Sequence, residues 1–351
     1  MKVHQVLSGA GRYDAVTMQA LAFRGLFSAW GWGGRDVAAN IDPRVAAEIA
    51  PISSLTPAAD DLLLIHYSGY APRLRSVLEL PNRKLLISHN ITPARWFWDH
   101  DPMAAVSCAL GRKQLPEFAA AVDVAAGVSL FNARELGSEI VIPILFDPAQ
   151  AGAPGPPDPP GPPTILFVGR IAPHKRQDAV IRAFELYRRA HAPDARLVLV
   201  GKSVNDTFEV AIRGLADELS PGAVTIEYGL TAEQLAARYR GAHAFLCMSE
   251  HEGFCIPLLE AFHFGVPVIT RSVGGLPEVA GDAALLLGED DDERVAAELL
   301  AFVVGDSELR AELRERGARR VEAYAPEPTV RRLRAALEEL NQPIGASQST
   351  G

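Results

Sequence analysis

Two carboxylates dominate the chemistry this chain can do. Residues 245–269 read FLCMSEHEGFCIPLLEAFHFGVPVI, with Glu252 and Glu260 eight positions apart across a glycine turn and Pro257. Proline is favoured where a helix begins, because its missing N–H has no intrahelical partner there. The amides of Gly253, Phe254, Cys255 and Ile256 then precede the helix with the positive end of its dipole behind them. That arrangement takes an anion or a hydroxyl without a metal. A carboxylate accepts two hydrogen bonds from a vicinal diol, the pattern of sugars and ribose. Singly, Glu260 could complement a helix dipole and Glu252 could be a solvated loop charge. Their joint spacing around a helix start favours a ligand site.

Two cations belong to the same chemistry. Strand TILFV ends in a loop opened by Gly169, and Arg170 and Lys175 lie on it. A loop carrying two cations beside a helix N-terminus suits an anionic group. In the first half, His89 ends strand KLLIS and is followed by Asn90, which sets an imidazole at a strand's carboxyl end. Gly9 and Gly11 follow the first strand and would let backbone approach a ligand closely. This pair is not G-x-G-x-x-G, because position 14 is Asp. Asp14, His66, Tyr67 and Asn90 are further candidates for contact with an acceptor. Trp96, Phe97 and Trp98 form an aromatic cluster that suits a sugar ring, a lipid or ordinary packing.

These residues need a scaffold of strand-ending loops. Strand VHQVL, a glycine loop and an apolar-periodic helix from Asp14 to Phe27 open the first half, and DLLLIHYS, KLLISHN and AAGVSLF read as further strands. The second half alternates TILFV, DAVIRAFELYRRA, ARLVLVG, DTFEVAIRGLADEL, VTIEYG, TAEQLAARYRGA, AFLCMS, PLLEAFHFG and VPVIT. Short apolar strands alternating with amphipathic helices predict parallel βαβ units. The expected class is α/β, with two Rossmann-like doubly wound domains facing a cleft lined by the carboxyl ends of their strands. The proline-dense stretch 148–163 predicts an extended, semi-rigid connector with no helix. The expected organisation is an acceptor domain over 1–147, the linker over 148–163 and a nucleotide domain over 164–325. A helix over 326–340 would cap the second sheet or pack back on the first domain, and 341–351 would be a disordered tail.

Composition narrows the function. The 351 residues are 48% hydrophobic and 22% charged, as in a globular chain of two domains. A net charge of −9 argues against nucleic acid. Three cysteines (Cys108, Cys247, Cys255) lack C-x-x-C spacing, and the nine histidines include no H-E-x-x-H, so neither a disulfide framework nor a zinc site is expected. The N-terminal residues lack the apolar stretch of a signal peptide, and no run is long enough for a membrane span. The expected location is cytoplasmic. The basic excess over 73–113 could meet an anionic acceptor or lipid headgroups at the inner membrane face, or be solvated surface charge.

SEHEGFCIPLLEAFHFGVPVI resembles the E-x7-E segment of retaining, nucleotide-sugar-dependent glycosyltransferases of family 4, which have the GT-B fold. FVGRIAPHKRQDAVIRAF (167–184) is similar to the family's diphosphate-holding stretch, with Arg170 and Lys175 as its cations, and GGLPEVAGDAALLL (274–287) to its downstream glycine loop. HNITP (89–93) and HYS (66–68) resemble N-terminal motifs of polysaccharide-type bacterial members. The resemblance implies a metal-independent, retaining transfer of a hexosyl group, with no cofactor beyond the nucleotide-sugar co-substrate. Glu252 would hold donor-sugar hydroxyls, Glu260 the ribose diol, and His89 the sugar or acceptor near the anomeric centre. GDP-mannose and UDP-glucose are donor expectations; a glycan, a lipid-linked molecule or a small molecule would be the acceptor, as in polysaccharide assembly. A GT-B nucleotide-sugar 2-epimerase and a non-catalytic nucleotide-sugar-binding partner protein are the competing readings. A nicotinamide oxidoreductase is disfavoured by the absent G-x-G-x-x-G.

Overall fold

The computed structural model describes residues 1–342 apart from Tyr13, Pro157 and Val204; the expected tail lies outside the described residues from 343 onward. The chain divides into two units. The first comprises residues 1–95, 103–145 and those from Pro326, the second residues 96–102 and 146–325.

Each unit is built on six parallel strands. In the first they are β1 (Val3–Leu7), β2 (Asp36–Ala38), β3 (Ala50–Pro51), β4 (Leu62–Tyr67), β5 (Lys84–Ser88) and β6 (Val124–Gly127), in the order β3-β2-β1-β4-β5-β6. The second has β7 (Thr164–Val168), β8 (Arg196–Val200), β9 (Val224–Glu227), β10 (Ala244–Cys247), β11 (Val268–Arg271) and β12 (Ala284–Leu287), in the order β12-β11-β10-β7-β8-β9. Both orders are the doubly wound 3-2-1-4-5-6. In such sheets ligands bind at the carboxyl ends of the strands where the order reverses. That point lies between β1 and β4 in one unit, and between β7 and β10 in the other.

The expected α/β class with two Rossmann-like sheets is therefore observed. Central strands such as LLLIHY are buried on both faces, which is why they read as continuous apolar runs. Helix Gln177–Ala190 buries Ala179, Val180, Ala183, Phe184 and Tyr187 at helical spacing, with Asp178 in its first turn and Arg188 and Arg189 in its last complementing the dipole.

Several elements differ from the sequence reading. The segment AAGVSLF is a strand only to Gly127; Ser129 then accepts from the Asn132 amide (3.3 Å) and caps helix Leu130–Arg134. The stretch 148–163, expected to be extended and without a helix, contains a helical turn, Pro148–Ala151, capped by Asp147. Pro148 is tolerated because its absent N–H falls in the first turn. Gly152, Ala153 and Asp158 are each held by a residue of the second unit. Arg240 Nε donates to the Ala153 carbonyl (3.1 Å), His263 Nε2 to that of Gly152 (2.6 Å), and Asp158 pairs with Arg310 (3.0 Å).

Helix Pro326–Leu340 belongs to the first unit. It buries Thr329, Leu333, Leu337 and Leu340, and Arg334 lies over the Trp30 ring at 5.3 Å. Residues 96–102 belong to the second: Phe97 packs edge-on against His174 (5.7 Å) and His100 against Phe208 (4.9 Å). The aromatic cluster at 96–98 thus includes a packing residue of the second unit. Among the described residues, no helix is long and apolar enough to cross a membrane.

Candidate functional site

In the second unit β7 and β10 are neighbours, with Phe245 opposite Leu166, so the loops that follow them meet. The loop after β7 makes a tight turn, Pro173–Lys175, and Arg176 follows in the left-handed region (φ 53°). The Glu250 amide donates to the His174 carbonyl (2.9 Å), and Arg176 pairs with both Glu250 and Asp178. With the two loops tied in this way, Lys175 Nζ donates to Glu252 Oε1 in an ion pair whose side chains are 13% and 8% exposed. Burial by itself would lower the pKa of Lys175, but the Glu252 carboxylate outweighs it and the net shift is upward. Lys175 is therefore an ammonium, held in a nearly dry place.

Glu252 is also held through its backbone. The Gly275 amide donates to its carbonyl (2.9 Å), and Gly274, at φ 58°, packs so closely that a Cβ there would lie 2.2 Å from the same oxygen. Only glycine fits that position. Gly274 is not among the residues that the sequence singles out; the paired glycines of GGLPEVAG are the signal for this close approach.

Helix Ile256–His263 starts from Cys255, which has φ 77° and ψ 74°. The amides of Gly253, Phe254, Cys255 and Ile256 make no hydrogen bond among the described residues. They are donors without acceptors at a helix start, an anion-binding arrangement. The side chain of Phe254 is buried against Tyr324 (5.5 Å), so only its backbone is available. Glu260 Oε2 accepts from the Tyr239 hydroxyl (2.7 Å), leaving its other oxygen for a second donor. Burial raises the Glu260 pKa, and the Tyr239 hydrogen bond partly offsets that.

The other second-unit candidates sit differently. Arg170 is exposed and enters no ion pair among the described residues; its carbonyl accepts from Gln177 Nε2 (2.9 Å). Its guanidinium is the more available of the two predicted cations. The Gly169 amide donates to the Val200 carbonyl (2.9 Å). Cys247 was not predicted as a site residue, yet its thiol, with those of Cys255 and the Glu252 carboxylate, forms a group of ligand atoms within 4.8 Å of one another. A hydrogen bond from Cys255 brings the Cys247 pKa down to about 7. The donor set suits a soft divalent ion in type, and the Lys175 ammonium already pairs with the Glu252 carboxylate.

In the first unit β1, β4 and β5 lie side by side, with His66 opposite both Leu7 and Ile87. Adjacent strand residues face opposite sides, so His66 and Tyr67 part company. Tyr67 is buried: it stacks on Phe118 (4.5 Å) and its hydroxyl donates to the Gly111 carbonyl (3.0 Å). It is a core residue, and the expectation that it meets an acceptor is corrected. His66 is equally buried and reaches outward only through His89, whose Nε2 lies 2.9 Å from His66 Nδ1. Asp14 caps helix Ala15–Ala29, accepting from Thr17 N (3.3 Å) and Thr17 Oγ1 (3.0 Å), which accounts for its carboxylate without an acceptor. The Gly11 amide donates to Thr17 Oγ1 (2.9 Å). A Cβ at Gly9 would come no nearer than 3.8 Å to Asn40, so packing does not demand glycine there. Asn90 has φ 77° and accepts from Asn132 Nδ2 (3.3 Å).

Comparison with known proteins turns on the second unit. Residues 154–320 match the family model described as Glycosyl transferases group 1. That stretch, just under half of the chain, is similar to group 1 glycosyltransferases. It contains Lys175, Glu252, Glu260 and the unengaged amides between the two glutamates. The chain is 30% identical over 145 residues to O-antigen chain mannosyltransferase B of Escherichia coli, covering 40% of this chain and 37% of that protein. It is 34% identical over 172 residues to a GDP-mannose-dependent monoacylated alpha-(1-6)-phosphatidylinositol monomannoside mannosyltransferase of Corynebacterium glutamicum, covering 46% and 43%. The matched stretches thus span less than half the length of these relatives. Among solved structures, a sucrose-phosphate synthase from Thermosynechococcus elongatus superposes with a TM-score of 0.73 at 18% identity, over 97% of this chain and 98% of that one. That likeness shows the fold, which is GT-B.

Proposed function

We propose that the chain is a retaining, metal-independent glycosyltransferase that moves a hexosyl group from a nucleotide-sugar to a glycan, lipid-linked or small-molecule acceptor. The observation that carries this reading is the buried Lys175–Glu252 pair beside four unengaged amides at a helix start. When the anomeric bond of a nucleotide-sugar breaks, the diphosphate gains charge. Lys175, the amides of Gly253 to Ile256 and the exposed Arg170 supply fixed positive potential for it. Glu252, sharing Lys175 with the phosphate, accepts from sugar hydroxyls, and the free oxygen of Glu260 accepts from the ribose diol. In the retaining step the acceptor oxygen bonds to the anomeric carbon on the face the phosphate leaves. The acceptor's proton passes to the departing phosphate oxygen, so no protein nucleophile is needed.

GDP-mannose leads the donors because the Corynebacterium relative is named for it; UDP-glucose is second. A peripheral contact with an anionic membrane has its own support. On helix Pro102–Ala120 the side chains of Met103, Val106 and Leu110 are exposed at helical spacing, with Lys113 exposed one turn on. Co-sedimentation with anionic vesicles, lost in Met103→Glu/Val106→Glu, tests that contact.

The function is tested by calorimetric titration with GDP, UDP and their sugars, with and without EDTA, followed by product analysis with acceptor present. The reading requires binding of one base that EDTA leaves unchanged, and a product with the donor's anomeric configuration. Epimerised donor without transfer, or no binding of any nucleotide, overturns it.

A further inference from the structure

A continuous hydrogen-bonded chain runs through the first unit from an ion pair to His89. Arg24 pairs with Asp36 (2.6 Å). Gln5, wholly buried on β1, donates through Nε2 both to Asp36 Oδ1 (2.9 Å) and to the Ala20 carbonyl (2.7 Å). Gln5 Oε1 faces His66 Nε2 (3.0 Å), and His66 Nδ1 faces His89 Nε2 (2.9 Å). His89 Nδ1 is closed off from solvent and has no hydrogen-bond partner among the described residues.

These contacts, with both imidazoles neutral, fix every proton in the chain. The two groups facing Gln5 Nε2 are both acceptors, so that end must be the NH2. A flipped amide would set oxygen against oxygen twice. Gln5 therefore presents its carbonyl to His66, and His66 Nε2 must carry a proton. Burial pushes the His66 pKa down to about 3, so the ring is neutral and its Nδ1 is a bare acceptor. His89 Nε2 must then donate. Burial and the neighbouring His66 hold His89 well below the ordinary imidazole range, so it too is neutral. Its one remaining ring nitrogen, Nδ1, is a lone pair with nothing to accept.

We infer that Gln5 and His66 are positioning residues that lock His89 in its neutral Nε2–H tautomer, so that Nδ1 acts as an acceptor for a hydroxyl of the bound ligand. The ring is thereby barred from serving as a cation or as a donor to a phosphate. The ligand group it recognises is an O–H, as on a sugar or polyol. The tautomer follows from the hydrogen bonds together with the neutrality of the two buried rings; the hydroxyl role rests on the glycosyl-transfer reading.

The test is long-range 1H–15N correlation NMR on the full chain labelled at histidine, with His89→Asn and His66→Gln used for assignment. At neutral pH both rings should be protonated on Nε2 and bare on Nδ1. A proton on His89 Nδ1, or an imidazolium at either position, overturns the inference. Gln5→Leu should release the lock, so that His89 shows a proton on Nδ1 in part of the population. Should that variant fail to fold, the wild-type spectrum still decides. For the hydroxyl role, His89→Asn keeps an acceptor oxygen near the Nδ1 position and His89→Leu does not. Transfer in His89→Asn should exceed that in His89→Leu at least tenfold, and equal losses overturn the role. If wild type neither binds nucleotide nor transfers, the functional reading has failed while the tautomer result stands.

Discussion

Lys175 Nζ and Glu252 Oε1, 77 positions apart in the chain, neutralise each other across the loops that follow β7 and β10. The consequence is a charged site that is stable while empty. On the proposed function, a phosphate recruits the ammonium without the protein having to dehydrate it anew, because that cost was met on folding.

Removing one partner should therefore be worse than removing both. Lys175→Met leaves a carboxylate buried without its cation, a loss of about 3–5 kcal/mol. Lys175→Met/Glu252→Gln should regain a substantial part of that stability, while both variants lack transfer activity. Urea midpoints check this, and an unshifted midpoint in the single variant would show that the pair does not hold the loops.

Tyr239→Phe isolates the ribose-side carboxylate. Loss of the Tyr239 hydrogen bond removes the contact that holds the Glu260 pKa down against burial. The pKa must rise further, and the acid limb of nucleotide affinity must move to higher pH. At neutral pH the affinity should fall about fivefold, corresponding to one hydrogen bond of about 1 kcal/mol. Titrations across the acid range check both parts; an unmoved limb sinks the assignment.

Two glycines separate packing from ligand approach. Gly274→Ala drives a Cβ to 2.2 Å from the Glu252 carbonyl at a positive φ, so melting temperature and transfer should fall together. Gly9→Ala meets nothing closer than 3.8 Å and should melt as wild type does, with only turnover reduced. A stable, fully active Gly274→Ala would show that the Glu252 backbone is not held from that side.

Acid should destabilise the chain well above the carboxylate range. His66, His89 and His174 all have pKa values depressed by burial, His66 to about 3 from an ordinary 6.5. Each takes a proton on unfolding but not while folded. Stability is therefore complete above the ordinary value and declines as pH drops below it, by up to about 1.4 kcal/mol per unit for each group. Unfolding free energies at pH 7 and pH 5 should differ, and His66→Gln should shrink the difference. Identical stability at the two pH values would contradict the buried neutral rings.

Much of the second unit was legible because its strands are short apolar runs and its helices strictly amphipathic, and E-x7-E marks a helix start whose amides are indeed unengaged. The edge strands β2 and β3, with three and two residues, are too short to show a period. Helix Pro102–Ala120 hides behind its internal Pro116 and a weakly amphipathic pattern. Types, spacing and motif resemblance together picked out Glu252, Glu260, Lys175 and His89 as candidates. What they could not reveal was depth. Tyr67 and His66 adjoin in sequence, yet the strand's two-residue period sends one into the core and the other behind His89. Nor does sequence show that Asp14 is spent on a helix cap, or that Gln5, an unremarked polar residue in an apolar strand, orients His89.

The return of helix Pro326–Leu340 to the first unit bears on biosynthesis. A ribosome releases residues 1–95 and 103–145 long before this last helix leaves the exit tunnel. Through the whole translation of the second unit, Trp30 and the neighbourhood of β5 wait without the cover that Leu333, Leu337 and Arg334 provide. Vectorial synthesis therefore completes the second unit first. A nonsense mutation after Ala325 would leave that unit whole and the first one permanently unfinished.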